Sequence, residues 1–247
     1  MQAVKFLTQG ESGIVVEFGT DIDPTINTRV HQLARRIQSQ YPQLVEAVVP
    51  TYRSLLVCFD PLQISRGDLM TKIEKISAEQ DSDSAKESSG STVVILTCYG
   101  GNFGPDLDFV ARHNNISTDE VIRIHTSTAY RIYMMGFTPG FPYLGGMSGK
   151  IAAPRLEKPR TRIPAGSVGI AGTQTGLYPV ESPGGWQLIG RTPLKVFNSG
   201  SRSPFLYSAG DFLQFEPVSV FDYEKIRLDV ERGLFQPRIL PAKEVTA

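Results

Sequence analysis

The residues best suited to chemistry in this chain lie in a short basic segment. Four cations fall within eight residues and are spaced by prolines: Arg155, Lys158, Arg160 and Arg162. Because proline stiffens the backbone, the guanidinium groups are held ready to bind a carboxylate or a phosphate. The segment therefore predicts an anion-binding site. The alternative is a solvated loop whose arginines pair with acidic residues elsewhere in the chain.

The surrounding stretch, residues 136–193, predicts ordered loops. It contains 12 glycines and 8 prolines in 58 residues, but also large aromatic residues such as Phe141, Tyr178 and Trp186. Aromatic residues at this density indicate packed backbone, with glycine and proline where unusual dihedral angles are needed. Ordered loops on a β scaffold commonly carry binding sites, so the stretch predicts one. The alternative is a set of tight turns that only connect strands.

Among the three histidines, His125 is the candidate for a catalytic role. It ends a helix that a capping box starts at Ser117, and it precedes the strand that leads into the glycine-rich stretch. The C-terminus of a helix favours the protonated imidazole, so we expect a raised pKa and a role as proton donor or anion ligand. The alternative is a structural histidine whose ring nitrogens are hydrogen-bonded inside the fold.

Composition and motif spacing argue against several function classes. Lys+Arg 25 balance Asp+Glu 25, so the chain lacks the basic excess of a general nucleic-acid binder. The segment Gly166–Gly172 has the spacing GxxGxxG, which does not match a nucleotide phosphate loop. Three scattered histidines and two cysteines in apolar runs predict neither a metal site nor a disulfide framework. With no long apolar segment and no secretory signal, we expect a cytoplasmic protein.

The elements that must position these residues indicate an α+β protein with two domains. Residues 77–91 contain six serines and no large apolar residue, which predicts a flexible linker. Residues 1–76 show the pattern β-α-β-β-α, which is typical of a small ferredoxin-like domain. Residues 92–247 begin with a strand and two short helices. Short strands broken by glycine and proline then indicate an all-β barrel or sandwich.

Four segments of unusual composition are shared with a known family. They start at Tyr99, Gly136, Ala153 and Ser182 and read YGGNFGPDLDFVARHNNIS with EVIRIH, GFTPGFPYLGGM, APRLEKPRTRIPAGSVGIAGTQTGLYP and SPGGWQLIGRTPL. In these motifs, and over nearly its whole length, the chain resembles the family of the 5-oxoprolinase B subunit, also called KipI or allophanate hydrolase subunit 1. The resemblance implies that the C-terminal domain is a cyclophilin-like β-barrel.

The resemblance also implies that the chain is one component of an enzyme. Such B subunits form a complex with a homologous C subunit and with an A subunit, and the complex cleaves 5-oxo-L-proline to L-glutamate with ATP. ATP is expected to phosphorylate the lactam oxygen before water attacks, and the isolated B subunit is expected to be inactive. Two alternatives stay open: an inhibitor of a sporulation histidine kinase, and a component of a urea carboxylase or allophanate hydrolase system.

The family motifs suggest eight positions for the site. Catalytic roles are expected for three of them: His125 would transfer a proton, while Arg160 and Arg162 would neutralise developing negative charge. Substrate binding is expected from the other five: Arg155, Ser182, Gly184, Gly185 and Trp186. The resemblance assigns ATP to the complex and not to one particular component, and no metal is expected.

Overall fold

The computed structural model describes residues 4–80 and 90–241. The chain forms two compact units, Met1–Ser88 and Ser89–Ala247. The expected linker, residues 77–91, starts too early, because the second helix of the first unit continues to Gln80. Ile76 and Ser77 are both buried, and this packing keeps the end of that helix ordered. Residues 81–89, the rest of the expected linker, lie outside the described residues.

The first unit is a four-stranded antiparallel sheet with two helices. Its elements, in chain order, are β1 (Lys5–Gln9), β2 (Gly13–Glu17), α1 (Pro24–Gln40), β3 (Ala47–Pro50), β4 (Ser54–Cys58) and α2 (Arg66–Gln80). The strands pair in the order β1-β2-β4-β3. Asp23 starts α1, because its carboxylate accepts hydrogen bonds from the backbone N–H groups of Thr25 (2.8 Å) and Ile26 (3.0 Å).

The predicted ferredoxin-like outline of this unit is confirmed, with one addition. The elements from β2 to α2 have the predicted order β-α-β-β-α. Strand β1 precedes them and pairs with β2 at the edge of the sheet. The sequence pattern did not predict β1, because four of its five residues are exposed and give no alternation of apolar and polar side chains. An edge strand of this kind leaves little trace in hydrophobic periodicity.

The second unit contains the remaining elements, and most of them are strands. Its first half comprises β5 (Thr92–Tyr99), α3 (Leu107–His113), α4 (Thr118–Thr126), β6 (Ala129–Met135), β7 (Pro142–Gly145), a 3-10 turn (Gly149–Ile151) and β8 (Arg160–Ile163). Its second half comprises β9 (Ser167–Ala171), β10 (Gln174–Leu177), β11 (Ser182–Gly184), β12 (Gln187–Arg191), β13 (Phe212–Pro217), α5 (Val220–Glu231) and β14 (Ile239–Leu240).

These strands curl into a nearly closed barrel. The main sheet has the order β10-β9-β12-β5-β13-β6-β7, with β14 added to β5, and the two end strands β7 and β10 lie side by side. The predicted barrel is therefore confirmed and the sandwich alternative is wrong. The interior is packed with apolar side chains from several strands, among them Ile95, Val168, Ile170 and Phe215. A filled barrel leaves function to its surface and loops.

Within residues 4–80 and 90–241, none of the helices combines the length and the apolar character that a membrane span requires.

Candidate functional site

Strands β8 and β11 pair outside the main sheet and carry part of the expected site. Gly184 lies opposite Arg160 and Ser182 lies opposite Ile163, with an irregularity in the pairing between them. The segment before β8 is fixed to the same strand pair, because the backbone N–H of Leu156 donates to the carbonyl of Gly185 over 2.7 Å. The pairing therefore brings the basic segment and the SPGG motif together, although they are well separated in sequence.

An aromatic cluster lies against this strand pair. Trp186 meets Phe141 edge-to-face with ring centroids 5.9 Å apart, and Tyr178 meets Phe141 in the same way at 5.6 Å. The cluster, including Ile163 and Leu188, is buried separately from the barrel interior. Trp186 is only 9% exposed, so its ring packs inside the aromatic cluster and offers almost no surface to a ligand.

Glycines in this region let the aromatic rings approach the backbone. A Cβ on Gly176 would lie 2.8 Å from the Trp186 ring, and a Cβ on Gly184 would lie 2.6 Å from the Tyr178 hydroxyl oxygen. Real Cβ atoms do not approach other atoms so closely, so both positions require glycine. Gly184 therefore makes room for the phenol of Tyr178 and contributes no contact of its own side chain.

Tyr178 is the residue of this site that sequence reasoning missed. Burial raises the pKa of its phenol to about 12, and the nearby Arg155 and Arg160 guanidinium groups act in the opposite direction. Among the described residues its hydroxyl has no hydrogen-bond partner. A phenol with this pKa stays protonated at neutral pH and can donate a hydrogen bond to an anion. The many glycines and prolines of residues 136–193 predicted a binding loop, but nothing in the sequence pattern distinguished Tyr178 from the other aromatic residues there.

Arg160 forms a part-buried ion pair with Asp106. A guanidinium nitrogen (Nη2) lies 2.8 Å from Oδ1 of Asp106, while Oδ2 of the same carboxylate accepts the backbone N–H of Leu188 over 2.7 Å. A second guanidinium nitrogen (Nη1) of Arg160 donates to the carbonyl of Trp186 at 3.3 Å. Arg160 thereby ties β8 to the start of β12, and its charge is balanced within the fold.

The other two arginines differ in what they contact. Arg162 pairs with Glu181 over 2.7 Å, but its side chain is 76% exposed, so the pair is a surface contact in solvent. Arg155 is exposed, and within the described part of the chain it has no hydrogen bond or ion pair. The alternative, in which the arginines pair with acidic residues of the chain, therefore holds for Arg160 and Arg162. The charge of Arg155 is available to bind an anion.

Ser182 adds a buried polar atom to the same strand pair. Its side-chain oxygen is inaccessible, and no hydrogen-bond partner for it exists among the described residues. The residue as a whole is 7% exposed. A buried hydroxyl without a partner costs free energy unless something else satisfies it.

His125 does not belong to this arrangement, and the expected raised pKa is wrong. Its Nδ1 lies 2.8 Å from the Tyr99 hydroxyl and its Nε2 lies 2.8 Å from the Thr175 hydroxyl, so both ring nitrogens are occupied. The side chain is fully buried, and this burial lowers the pKa to about 3. Desolvation of the imidazolium outweighs the favourable end of helix α4. The structural alternative describes His125, and a proton-transfer role does not.

A sheet separates His125 from the aromatic cluster. Residues directly opposite in an antiparallel pair share one face, and Thr175 lies opposite Ile170 while Gly176 lies opposite Gly169. Ile170 belongs to the barrel interior, where Thr175 meets His125, whereas Gly169 and Gly176 lie against Trp186. The structure therefore brings the other seven expected positions to one strand pair and its flanks, and leaves His125 on the other face.

Over the described ranges, 4–80 and 90–241, no group of three or more His, Cys, Asp or Glu is placed to bind one ion.

The fold and sequence together define the class of the protein. The family model of the carboxyltransferase domain, subdomain C and D, matches residues 4–207, so the chain belongs to this domain family. It is 44% identical over 223 residues to the 5-oxoprolinase B subunit of Bacillus subtilis (strain 168), covering 87% of this chain and 92% of that protein. Within the class, the chain belongs to the family of the 5-oxoprolinase B subunit, which confirms the resemblance noted in the motifs.

Two solved structures share the fold. The crystal structure of TTHA0988 has a TM-score of 0.74 and 33% identity, over 84% of this chain and 40% of that one. The urea amidolyase of Kluyveromyces lactis has a TM-score of 0.75 and 21% identity, over 96% of this chain and 16% of that one. At the lower identity the likeness concerns the fold alone. In both, the part that matches is a minor share of a longer chain.

Proposed function

We propose that this chain is the B subunit of an ATP-dependent 5-oxoprolinase that also contains an A subunit and a C subunit. The identity to the 5-oxoprolinase B subunit of Bacillus subtilis over most of both chains supports this proposal. Within the complex, the proposed reaction is the cleavage of 5-oxo-L-proline to L-glutamate. The proposal includes a cytoplasmic location, since ATP is the co-substrate, and no turnover by this chain alone.

One observation in the fold carries the proposal of a substrate site. Arg155 keeps an uncommitted charge close enough to Tyr178 to act on the pKa of its phenol, and the Tyr178 hydroxyl has no partner among the described residues. The substrate 5-oxo-L-proline carries one carboxylate. A guanidinium and a protonated phenol are suitable donors for a carboxylate, and together they would bind it more strongly than either alone. We therefore assign Arg155 and Tyr178 to the carboxylate of the substrate.

Arg160 takes a positioning role in this proposal. Its bond to Asp106 neutralises the charge that would otherwise face a ligand, and its contact with the Trp186 carbonyl fixes strand β8 against the cluster. Removing Arg160 would therefore shift the segment that carries Arg155. The ion pair of Arg162 with Glu181 is exposed to solvent, so Arg162 does not position the site in the same way.

The glycine-rich segment of this chain does not fit the phosphate groups of ATP. The glycine-rich segment Gly166–Gly172 contains strand β9, whose residues Ser167–Ala171 are all buried and paired in the sheet. A glycine-rich phosphate loop binds through exposed backbone N–H groups, most often at the start of a helix, and this segment offers none. We therefore propose that ATP binds to another component of the complex, and that the B subunit contributes to holding the lactam substrate.

Omission of single components tests the proposal. Glutamate release from 5-oxo-L-proline and ATP is measured with this chain, the A subunit and the C subunit together, and with each of them left out in turn. We expect release from the complete mixture only. A complete mixture of folded, associated components that releases no glutamate would exclude the proposed reaction, and the same mixture would then be assayed for carboxylation of urea.

A further inference from the structure

Arg191 is a partly buried cation on the outer face of the barrel. It ends β12 and lies opposite Ser167 of β9 on one side and opposite Cys98 of β5 on the other. Val168, the neighbour of Ser167 in β9, packs in the barrel interior. Because side chains alternate along a strand and residues directly opposite share a face, Arg191, Ser167 and Cys98 form one row on the outside.

The charge of Arg191 has no acidic partner within the described residues. In this part of the chain its guanidinium group has no hydrogen bond and no ion pair, and its Nε is inaccessible. The hydroxyl of Ser167 is fully buried and has no partner among the described residues either. Partial burial of an unpaired guanidinium costs free energy of desolvation, which a bound anion would offset.

Two aromatic residues surround the guanidinium group. Its central carbon (Cζ) lies over the ring of Phe103, 5.9 Å from the ring centroid. Tyr223 of helix α5 packs on the same ring, with centroids 4.4 Å apart, and is only 7% exposed. The guanidinium of Arg191 and the side chain of Tyr223 therefore both lie against Phe103.

The loop that carries Phe103 is fixed to β12. The N–H of Gly100 donates to the carbonyl of Ile189 at 3.0 Å, and the N–H of Phe103 donates to the carbonyl of Gly100 at 3.0 Å. Gly104 lies so close to β12 that a Cβ there would collide with the carbonyl oxygen of Ile189. Phe103 is thereby held in place before any ligand binds, and a pre-organised site loses less entropy on binding.

Tyr223 supplies a second hydrogen-bond donor at this place. Burial raises the pKa of its phenol, while the Arg191 guanidinium acts in the opposite direction, so the phenol is protonated at neutral pH. Its hydroxyl has no hydrogen-bond partner among the described residues. Glu224, a carboxylate that also acts on this phenol, is bonded to Arg227 over 2.8 Å. Neither Arg191 nor Tyr223 therefore has an acceptor from the described part of the chain.

This arginine and tyrosine are distinct from the pair assigned to the substrate. The backbone N–H of Tyr178 donates to the carbonyl of Ser167 at 2.9 Å, so Ser167 lies between Tyr178 and Arg191 in the sheet. A guanidinium binds carboxylate and phosphate alike. Phosphate has oxygens on every side, whereas a carboxylate has two in one plane. Donors that come from two different elements, β12 and α5, therefore suit phosphate better.

We propose that Arg191 and Tyr223 form a second anion-binding site, which takes a phosphate group. Phe103 forms its wall, and Ser167 lies opposite Arg191 in the neighbouring strand. The site goes beyond the proposed function, which assigns only the substrate carboxylate, to Arg155 and Tyr178. It is also independent of that function, because the free chain is expected to bind inorganic phosphate without any other component.

The test measures the thermal unfolding midpoint of the purified full-length chain at pH 7 as sodium phosphate is increased. Sodium chloride keeps the ionic strength constant. A ligand of the folded chain raises the midpoint, and the concentration dependence gives its Kd. The wild type is compared with Arg191→Gln, Tyr223→Phe and Arg202→Gln. Arg202→Gln is the matched control, since Arg202 is an exposed arginine in the segment between β12 and β13.

We expect the wild type and Arg202→Gln to bind phosphate with the same Kd. Arg191→Gln should weaken binding by about tenfold or more, and Tyr223→Phe by about three- to tenfold. Tyr223→Phe keeps the ring that packs on Phe103, so a lower affinity in this variant reports the hydroxyl and not a damaged fold. A wild type that phosphate does not stabilise beyond chloride, or the same rise in all four forms, would overturn the site.

Further forms and ligands identify the place and the source of the phosphate. An affinity that Arg155→Gln removes and Arg191→Gln leaves intact would put the ion at the substrate site and overturn the proposal. Sodium acetate that stabilises as strongly as phosphate, through Arg191, would overturn the assignment to phosphate.

The same titration with magnesium-ATP separates a free phosphate ion from the phosphate of a nucleotide. Tighter binding of ATP than of phosphate, lost in Arg191→Gln, would support the phosphate site and overturn the assignment of ATP to another component. Tighter binding of free phosphate would support the site as proposed. None of these measurements uses glutamate release, so the oxoprolinase proposal and the phosphate site fail or stand separately.

Discussion

Asp106 and Arg160 form an ion pair that joins two parts of the barrel unit 54 residues apart in sequence. The carboxylate also accepts the backbone N–H of Leu188, so one side chain fixes strand β8 and strand β12 together. The basic segment is held by this pair at the place where it meets the aromatic cluster. The geometry of the site therefore depends on an acidic residue that lies outside the basic and SPGG motifs.

The first prediction concerns the stability of that link. Asp106→Ala leaves the Arg160 guanidinium and the Leu188 N–H without their shared partner, so we expect the free energy of unfolding to fall by about 2 kcal/mol. Urea denaturation measures it. The control is Glu181→Ala, which removes the exposed partner of Arg162 and should cost less than about 0.5 kcal/mol. Equal losses for the two variants would show that the Asp106 pair does not fix the strands.

The second prediction is a pH dependence caused by His125. The unfolded chain takes up a proton on this side chain near its ordinary pKa of 6.5, whereas the folded chain does so only near a pKa of about 3. Stability contributed by neutral His125 is therefore complete above pH 6.5 and is lost as the pH falls toward 3. The expected slope from this one group is about 1.4 kcal/mol per pH unit in that window.

The variant His125→Gln isolates this contribution. It lacks the titrating ring, so its unfolding free energy should be lower at pH 7 but should change less between pH 6 and pH 4 than that of the wild type. His113→Gln is the matched control, because it makes the same substitution at an exposed histidine. Parallel curves for wild type and His125→Gln would contradict the assignment of a neutral, buried imidazole.

The third prediction compares two neighbouring glycines. Gly184→Ala brings a methyl group within 2.6 Å of the Tyr178 hydroxyl oxygen, whereas Gly185→Ala finds its nearest atom at 3.6 Å. We expect Gly184→Ala to destabilise the fold by about 1–3 kcal/mol and to displace the phenol. Gly185→Ala should stay close to the wild type in thermal unfolding. If both variants unfold at the wild-type temperature, the phenol of Tyr178 does not occupy the space that Gly184 leaves.

The sequence predicted the fold well wherever periodicity or capping is strong. The order β-α-β-β-α was predicted for the first unit, and short strands separated by glycine and proline predicted a barrel or a sandwich, of which the structure shows the barrel. Strand β1 was not predicted, because an exposed edge strand has no apolar face that hydrophobic periodicity could detect. The expected linker began too early, because polar residues at the end of α2 hide the burial of Ile76 and Ser77.

The site was predicted less completely than the fold, for physical reasons. The motifs indicated the arginines and the SPGG segment, but ion pairing is a property of the folded chain, so the partners Asp106 and Glu181 could not be read from spacing. The pKa of His125 was expected to be raised by the C-terminus of its helix, whereas burial of the side chain lowers it. Tyr178 became a candidate only when the strand pairing brought it to Gly184 and the arginines.

The central claim is that Arg155 binds the carboxylate of the substrate. It is tested most directly in the complete complex by the kinetics of Arg155→Ala, with Lys158→Ala as a control that removes an exposed cation from the same segment. The measured quantities are the KM for 5-oxo-L-proline, the KM for ATP and the kcat of glutamate release.

We predict that Arg155→Ala raises the KM for 5-oxo-L-proline by about tenfold, as expected for the loss of one charge-assisted hydrogen bond at an exposed site. The KM for ATP should stay unchanged, because ATP is assigned to another component of the complex, and Lys158→Ala should behave as the wild type. An Arg155→Ala complex with the wild-type KM for 5-oxo-L-proline would contradict the account.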